Sequence, residues 1–225
     1  VTTAAGPDGG QAPVALAARQ LACTVGLRPL FGGLDFDLRS GEWLRLAGPN
    51  GCGKSTLLRA IGGLIRPTGG EVLWRGEPRR AGSPSWLADL LYQGHLSGWK
   101  DSLSPTENLQ LQLALDRGRP AASAEIAGHL SRAGLSRQAR LPFQRLSAGQ
   151  RHRLSLARLA ASQQALWLLD EPTTALDAEG QRLFGELLDA HLARGGCALV
   201  ATHLPIDCEA AAHQIDLARF APRRP

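Results

Sequence analysis

The chain has 225 residues, 44% of them hydrophobic, enough to bury the core of one large domain. No apolar run reaches the roughly 18 residues that would argue for a membrane span, and the opening VTTAAGPDGGQAP lacks the charged head and apolar centre of a signal peptide. The formal charge is +5, and only two of the 25 lysines plus arginines are lysine; the arginines are scattered along the chain and not gathered on one predicted helix, which argues against a nucleic-acid partner.

Residues 1–18 are rich in Gly, Ala and Pro and read as a loose leader to a single domain over 19–225. Short strand-like stretches follow: LACTV (21–25), LDFDLR (34–39) and EWLRLAG (42–48), the last two separated by an SG turn. They suggest a mainly antiparallel lobe. After GPNGCGKST the segment TLLRAIGGLI is amphipathic with a helical period and is closed by Pro67, and GGEVLWRG returns to strand. From Ser104 the texture is helical: Ser104, Pro105 and Glu107 supply an N-cap, a first-turn proline and a capping-box acid. Further helices are predicted over 122–133 and from Ser147. The chain then runs strand (ALWLLD), helix (177–194), strand (CALVAT) and a last helix and strand. Alternating strand and helix around a helical insertion at about 95–160 predicts an α/β body with a parallel sheet. Cys23, Cys52, Cys197 and Cys208 form no CxxC pair, so reduced thiols are expected and structural zinc is not.

GPNGCGKST fits the phosphate-loop pattern GxxxxGK[ST] between a strand and a helix. Its residues are Gly48, Pro49, Asn50, Gly51, Cys52, Gly53, Lys54, Ser55 and Thr56. The glycines let successive N–H groups turn toward one centre, the helix start adds its positive end, and Lys54 reaches the β- and γ-phosphates. Ser55 would ligate Mg²⁺. ALWLLDEP ends an apolar run in two carboxylates at the carboxyl edge of the predicted sheet, where ligands bind. Asp170 would hold Mg²⁺ directly or through water, and Glu171 would polarise an attacking water. LSAGQ is a helix start in which Ser147 and Gln150 make a capping box, and the same pattern offers a second set of free N–H groups to phosphate. One chain would then own two phosphate-binding ends and need only one.

GPNGCGKST, LSAGQ, LLDEP, TALD (174–177) and His203 after CALVAT, in this order, resemble the ATP-binding-cassette ATPases across about residues 19–218. The resemblance implies a P-loop NTPase with a RecA-like core, an antiparallel β lobe and a helical subdomain. It also implies MgATP hydrolysis by a head-to-tail homodimer, each ATP lying between one phosphate loop and the other copy's signature motif. On this resemblance Ser147 and Gly149 contact the γ-phosphate across the dimer, with Gln150 beside them. Asp177 bridges the subunits, and His203 holds the γ-phosphate and the attacking water. The aromatic that stacks on adenine in this family is missing; its slot falls at Val25.

The stretch YQGHLSGWKD (92–101) matches the site of a family glutamine that senses Mg²⁺ or water and faces the membrane partner. Gln93 is one candidate. The usual spacing to LS before ENL selects His95, with Lys100 at the membrane contact. GHLSGWKDSLSPTENL, LFGGLDF and LSAGQRHRLSLARL together resemble the haem-handling branch of the family that serves cytochrome c maturation. That implies a peripheral subunit at the cytoplasmic face of a bacterial inner membrane, partnered by integral membrane subunits of that transporter. A lipid or drug exporter, or a soluble cassette ATPase, is the alternative reading.

Overall fold

The structure is a computed structural model that describes residues 12–94 and 98–222. Two sheets organise it. β1 (Val14–Val25), β2 (Arg28–Arg39), β4 (Gly69–Trp74) and β5 (Glu77–Pro78) form an antiparallel sheet in the order β2-β1-β4-β5. The second sheet is parallel, in the order β6-β7-β8-β3-β9. Its strands are β3 (Trp43–Ala47), β6 (Leu90–Gln93), β7 (Leu166–Asp170), β8 (Cys197–Ala201) and β9 (Ala212–Asp216).

Every residue of β7 and β8 is buried, and their side chains divide with period two between two cores. Leu166, Leu168, Cys197 and Leu199 face α1 (Lys54–Gly62) and the antiparallel lobe, whereas Trp167, Leu169, Ala198 and Val200 pack with α5 (Ala148–Ala161) and α6 (Ala178–Ala193). Continuous apolar strands of this kind belong to a parallel sheet covered on both faces. A third core joins α3 (Pro105–Arg117), α4 (Ser123–Arg132) and α5 through Leu109, Leu113, Ile126, Leu130 and Leu154. α3 and α5 each start with a complete capping box, from Ser104 with Glu107 and from Ser147 with Gln150.

Three expectations need correction, the first being that EWLRLAG (42–48) joins the antiparallel lobe: its strand β3 instead pairs in parallel with β8 and β9. β1 begins at Val14, inside the segment read as a leader, because Ala15 to Ala18 are all buried in the lobe. The alternation was hidden there by small alanines. Between β8 and β9 the chain forms no helix; β9 comes first and a short 3₁₀ turn, Leu217–Phe220, follows it. A short helix α2 (Pro84–Asp89), N-capped by Ser83, precedes β6 and was not predicted. All four cysteines are free. Among the described residues no helix is long and apolar enough to cross a membrane.

Candidate active site

β3 runs straight into the phosphate loop, and the loop runs straight into α1. The turn depends on glycines: Gly48, Gly51 and Gly53 have φ of 132°, 79° and 109°, a region that side chains rarely adopt. At Gly53 a Cβ would also stand 3.1 Å from the Phe31 ring. Lys54 is 9% exposed, and its ammonium donates to the carbonyls of Gly48 at 2.8 Å and Pro49 at 3.2 Å. The loop therefore holds the cation over its own centre, where the N–H groups and the start of α1 add partial positive charge.

A cleft of about 320 Å³ brings Lys54, Ser55 and Thr56 together with Asp170 and Glu171. Parallel pairing puts Asp170 at the carboxyl edge of the sheet beside Ala201 of β8, and it is only 6% exposed. The next residue breaks the strand. Glu171 has φ of 51° and donates its N–H to the Ala201 carbonyl at 2.8 Å. A non-glycine residue held there costs on the order of 1 kcal/mol, and such strain collects at functional sites. The Glu171 carboxylate then meets two side chains. Thr174 Oγ1 donates to Oε2 at 3.3 Å, and His203 Nδ1 lies 3.1 Å from Oε1 and 3.0 Å from Oε2.

Ser55 and Asp170 offer a hydroxyl and a carboxylate oxygen in the one cleft. Among the described residues no group of three or more His, Cys, Asp or Glu side chains could cage a metal. Two hard oxygens fit Mg²⁺, which keeps waters and completes its shell with substrate phosphates.

The predicted site residues divide into two groups. Lys54, Ser55, Thr56, Asp170, Glu171 and His203 converge. Ser147, Gly149 and Gln150 do not line the cleft; they start α5, where a Cβ on Gly149 would stand 3.4 Å from the Ala175 carbonyl of the same chain. Asp177 N-caps α6 by accepting the Gly180 N–H at 3.0 Å. The Arg153 guanidinium, and secondarily that N–H, hold its carboxyl below the usual range. Gln93 ends β6, 6% exposed, and its Oε1 has no hydrogen-bond partner among the described residues. His95 lies outside the described residues.

Residues 31–174 match the ABC transporter family. The chain is 45% identical over 188 residues to the cytochrome c biogenesis ATP-binding export protein CcmA of Cupriavidus pinatubonensis, covering 84% of this chain and 83% of the relative. It belongs to the ABC transporter family. The CcmA protein of Methylococcus capsulatus is also 45% identical, over 202 residues, covering 90% of this chain and 97% of the relative. A dimeric ATP-binding cassette solved in a post-hydrolysis state with ADP and Pi aligns with TM-score 0.73 and 25% identity, over 84% of this chain and 88% of that one. This ABC chain is an ATP hydrolase that binds ATP.

Two features of the ABC site were not predicted from sequence. Arg153 holds Asp177 and Glu179 at once, at 2.8 and 2.7 Å. Arg158 donates to both oxygens of Asp116, at 2.9 and 2.7 Å, and to the Tyr92 carbonyl at 3.4 Å. It thereby ties α3 and α5 to the strand that ends at Gln93. Neither pair leaves a spacing signal, since the partners stand 24 and 42 residues apart.

Proposed function

We propose that this chain is the ATP-hydrolysing subunit of a transporter for c-type cytochrome biogenesis, handling haem. It works as a head-to-tail homodimer at the cytoplasmic face of a bacterial inner membrane, peripheral to integral membrane subunits. The observation that carries the hydrolytic part is the convergence of Lys54, Ser55, Asp170 and the Glu171–His203 pair on one cleft, while Ser147 and Gly149 stand apart on α5. A signature motif that cannot serve its own cleft is of use to a second copy.

Lys54 neutralises the β- and γ-phosphates, and the loop N–H groups orient them. Ser55 and Asp170 would hold Mg²⁺, which when bound neutralises charge on the β- and γ-phosphate oxygens. Glu171 accepts a hydrogen bond from the attacking water and orients it in line with the γ-phosphorus. His203, braced by Glu171 through Nδ1, presents its other nitrogen to the γ-phosphate. Ser147, Gly149 and Gln150 of the second copy close the site, and Asp177 lies where the two copies meet. Val25, 55% exposed, stands in the slot of the stacking aromatic, so affinity rests on the phosphates.

Haem staining of c-type cytochromes tests the cellular role. With Glu171→Gln as the only copy, c-type staining should disappear while b-type haem proteins remain. Normal c-type staining would remove the case for cytochrome biogenesis and leave an exporter of another substrate as the reading.

A further inference from the structure

His203 sits on the segment from 202 to 211, which joins β8 to β9 without a helix or strand. Such a segment has no ladder to hold it, so its bonds to the rest of the chain decide where the imidazole stands. At its start, buried Thr202 accepts the Leu204 N–H at 3.1 Å and closes a local turn around His203. Its far end is fixed by α6 and β3. The Asp189 carboxylate accepts the N–H of Glu209 at 2.9 Å and that of Ala210 at 3.2 Å. Trp43 of β3 donates its indole N–H to the Ala210 carbonyl at 2.9 Å. One turn before Asp189 on α6, Gly185 lets the segment approach so closely that a Cβ there would overlap the Asp207 carbonyl oxygen.

We infer that Asp189 is a positioning residue for ATP hydrolysis: together with the open face at Gly185 it staples the 202–211 segment to α6 and so sets His203 against Glu171. Asp189 touches neither nucleotide nor water. Its effect is carried by the backbone of four residues, Pro205 to Cys208, between the turn at Leu204 and the staple at Glu209. The His203–Glu171 distance of 3.0 Å leaves little slack, and a misplacement of about 1 Å at a reacting centre can cost on the order of a hundredfold in rate. The inference rests on the reading that His203 works in the hydrolytic site.

Steady-state MgATP hydrolysis by the full chain tests both, each separately. Asp189→Ala should lower kcat about tenfold with KM for MgATP within a factor of about two, the pattern of lost transition-state positioning and not of lost binding. Asp189→Asn should keep at least about half of the wild-type kcat, because Oδ1 alone reaches both N–H groups, at 3.1 and 3.2 Å. In a His203→Ala background, Asp189→Ala should cost nothing further, since residues acting through one group are not additive. A smaller folded fraction would also lower kcat and spare KM, but it would multiply with the His203→Ala cost, so the non-additivity is what separates positioning from lost stability. Gly185→Ala, which favours the helix but pushes the segment outward, should show the same split and the same non-additivity, and it decides the matter where Asp189→Ala does not fold. If His203→Ala hydrolyses ATP at the wild-type rate, the reading of the site falls and the inference with it. If His203→Ala lowers kcat but Asp189→Ala and Gly185→Ala do not, or their costs add to it in full, only the inference is overturned.

Discussion

Arg153 on the signature helix lies 2.8 Å from Asp177, the N-cap of α6, so the start of one helix is tied to the start of the next. Arg153, and then the Gly180 N–H, stabilise the Asp177 anion and pull its pKa below the ordinary 3.8. A carboxylate with a depressed folded pKa stabilises the protein above its unfolded pKa, and that contribution disappears as pH falls through the folded value. Asp177→Asn keeps the cap and discards the charge. Its urea midpoint should lie below wild type at neutral pH and converge with it as pH falls through the lowered Asp177 pKa. A gap that persists in acid would assign the loss to the cap and not to Arg153.

His191 predicts a second pH effect of different origin. It is buried, stacked on Trp167 with ring centroids 3.9 Å apart, and its Nε2 lies 3.1 Å from the Cys197 carbonyl. Burial lowers its pKa from 6.5 to about 4, against a smaller opposing effect of that carbonyl. The unfolded chain therefore takes up a proton near pH 6.5 while the native chain refuses it until about pH 4. Stability present above pH 6.5 should decline through this window, by on the order of 3 kcal/mol if the whole shift is expressed. Urea titrations at several pH values measure it. His191→Phe, which keeps the stack, should be less stable at pH 7 and flatter across the window.

These relationships mark how far the sequence could be read. The phosphate loop, the β7 carboxylates and both capping boxes were legible because each is local: glycines that need positive φ, an apolar run that must end at a sheet edge, a Ser with its N3 partner. The same locality separated strands from helices over most of the chain. What escaped was whatever depends on distant chain. Between Ala15 and Ala18 only Leu16 has bulk, too little to show a period, yet cross-strand pairing to β2 and β4 makes the segment strand. The 202–211 segment reads as able to form a helix, but Asp189 and the open face at Gly185 tie it to α6 and Trp43 ties it to β3. No spacing rule joins those three residues to His203.

At the phosphate loop, Lys54→Ala removes the cation that the loop closes around, and should raise the Kd for MgATP at least about a hundredfold. Equilibrium binding of a fluorescent ATP analogue measures it. Glu171→Gln keeps the shape and the contact with Thr174 but loses basicity. It should bind ATP normally, hydrolyse it at least about a thousandfold more slowly, and accumulate as an ATP-bound dimer on size-exclusion chromatography. Wild-type turnover by the Gln variant would show that another group handles the water.

At the other end, Val25 and the fully exposed Leu27 at the β1–β2 turn offer only aliphatic surface to a base. An aliphatic contact does not distinguish one purine from another, whereas base–aromatic stacking contributes about 1–3 kcal/mol. GTP should compete with ATP within a factor of about ten, and Val25→Tyr should tighten binding of both by about five- to a hundredfold. A thousandfold preference of the wild type for ATP in competition binding would mean that a polar group reads the adenine edge.

The stretch between β6 and α3 yields the last prediction. Gln93 pairs in register with Leu169, one residue short of Asp170 on the neighbouring strand, and is buried with an Oε1 that has no partner among the described residues. Leaving a buried polar atom unsatisfied costs about 1–3 kcal/mol, so Gln93→Leu should keep hydrolysis and raise stability. We propose that His95, two residues on, takes the sensor role; an imidazole can accept from a Mg²⁺-bound water or donate to phosphate as an amide does. Lys100 is exposed, but its backbone is not loose: its N–H donates to Asn108 Oδ1 at 2.8 Å, and Asn108 Nδ2 donates back to the Lys100 carbonyl at 3.0 Å. Asn108 belongs to α3, so the Lys100 backbone is tied to the helical subdomain; we propose that its side chain meets the membrane partner. His95→Ala should therefore cut kcat at least about tenfold more than Gln93→Ala. Lys100→Glu should leave MgATP binding and basal hydrolysis intact while abolishing the response to the membrane subunits, measured as ATPase stimulation in reconstituted complexes and as c-type haem staining in cells. If Gln93→Ala is the crippling change and Lys100→Glu is silent, the sensor is the strand residue and the loop beyond it does not carry the contact.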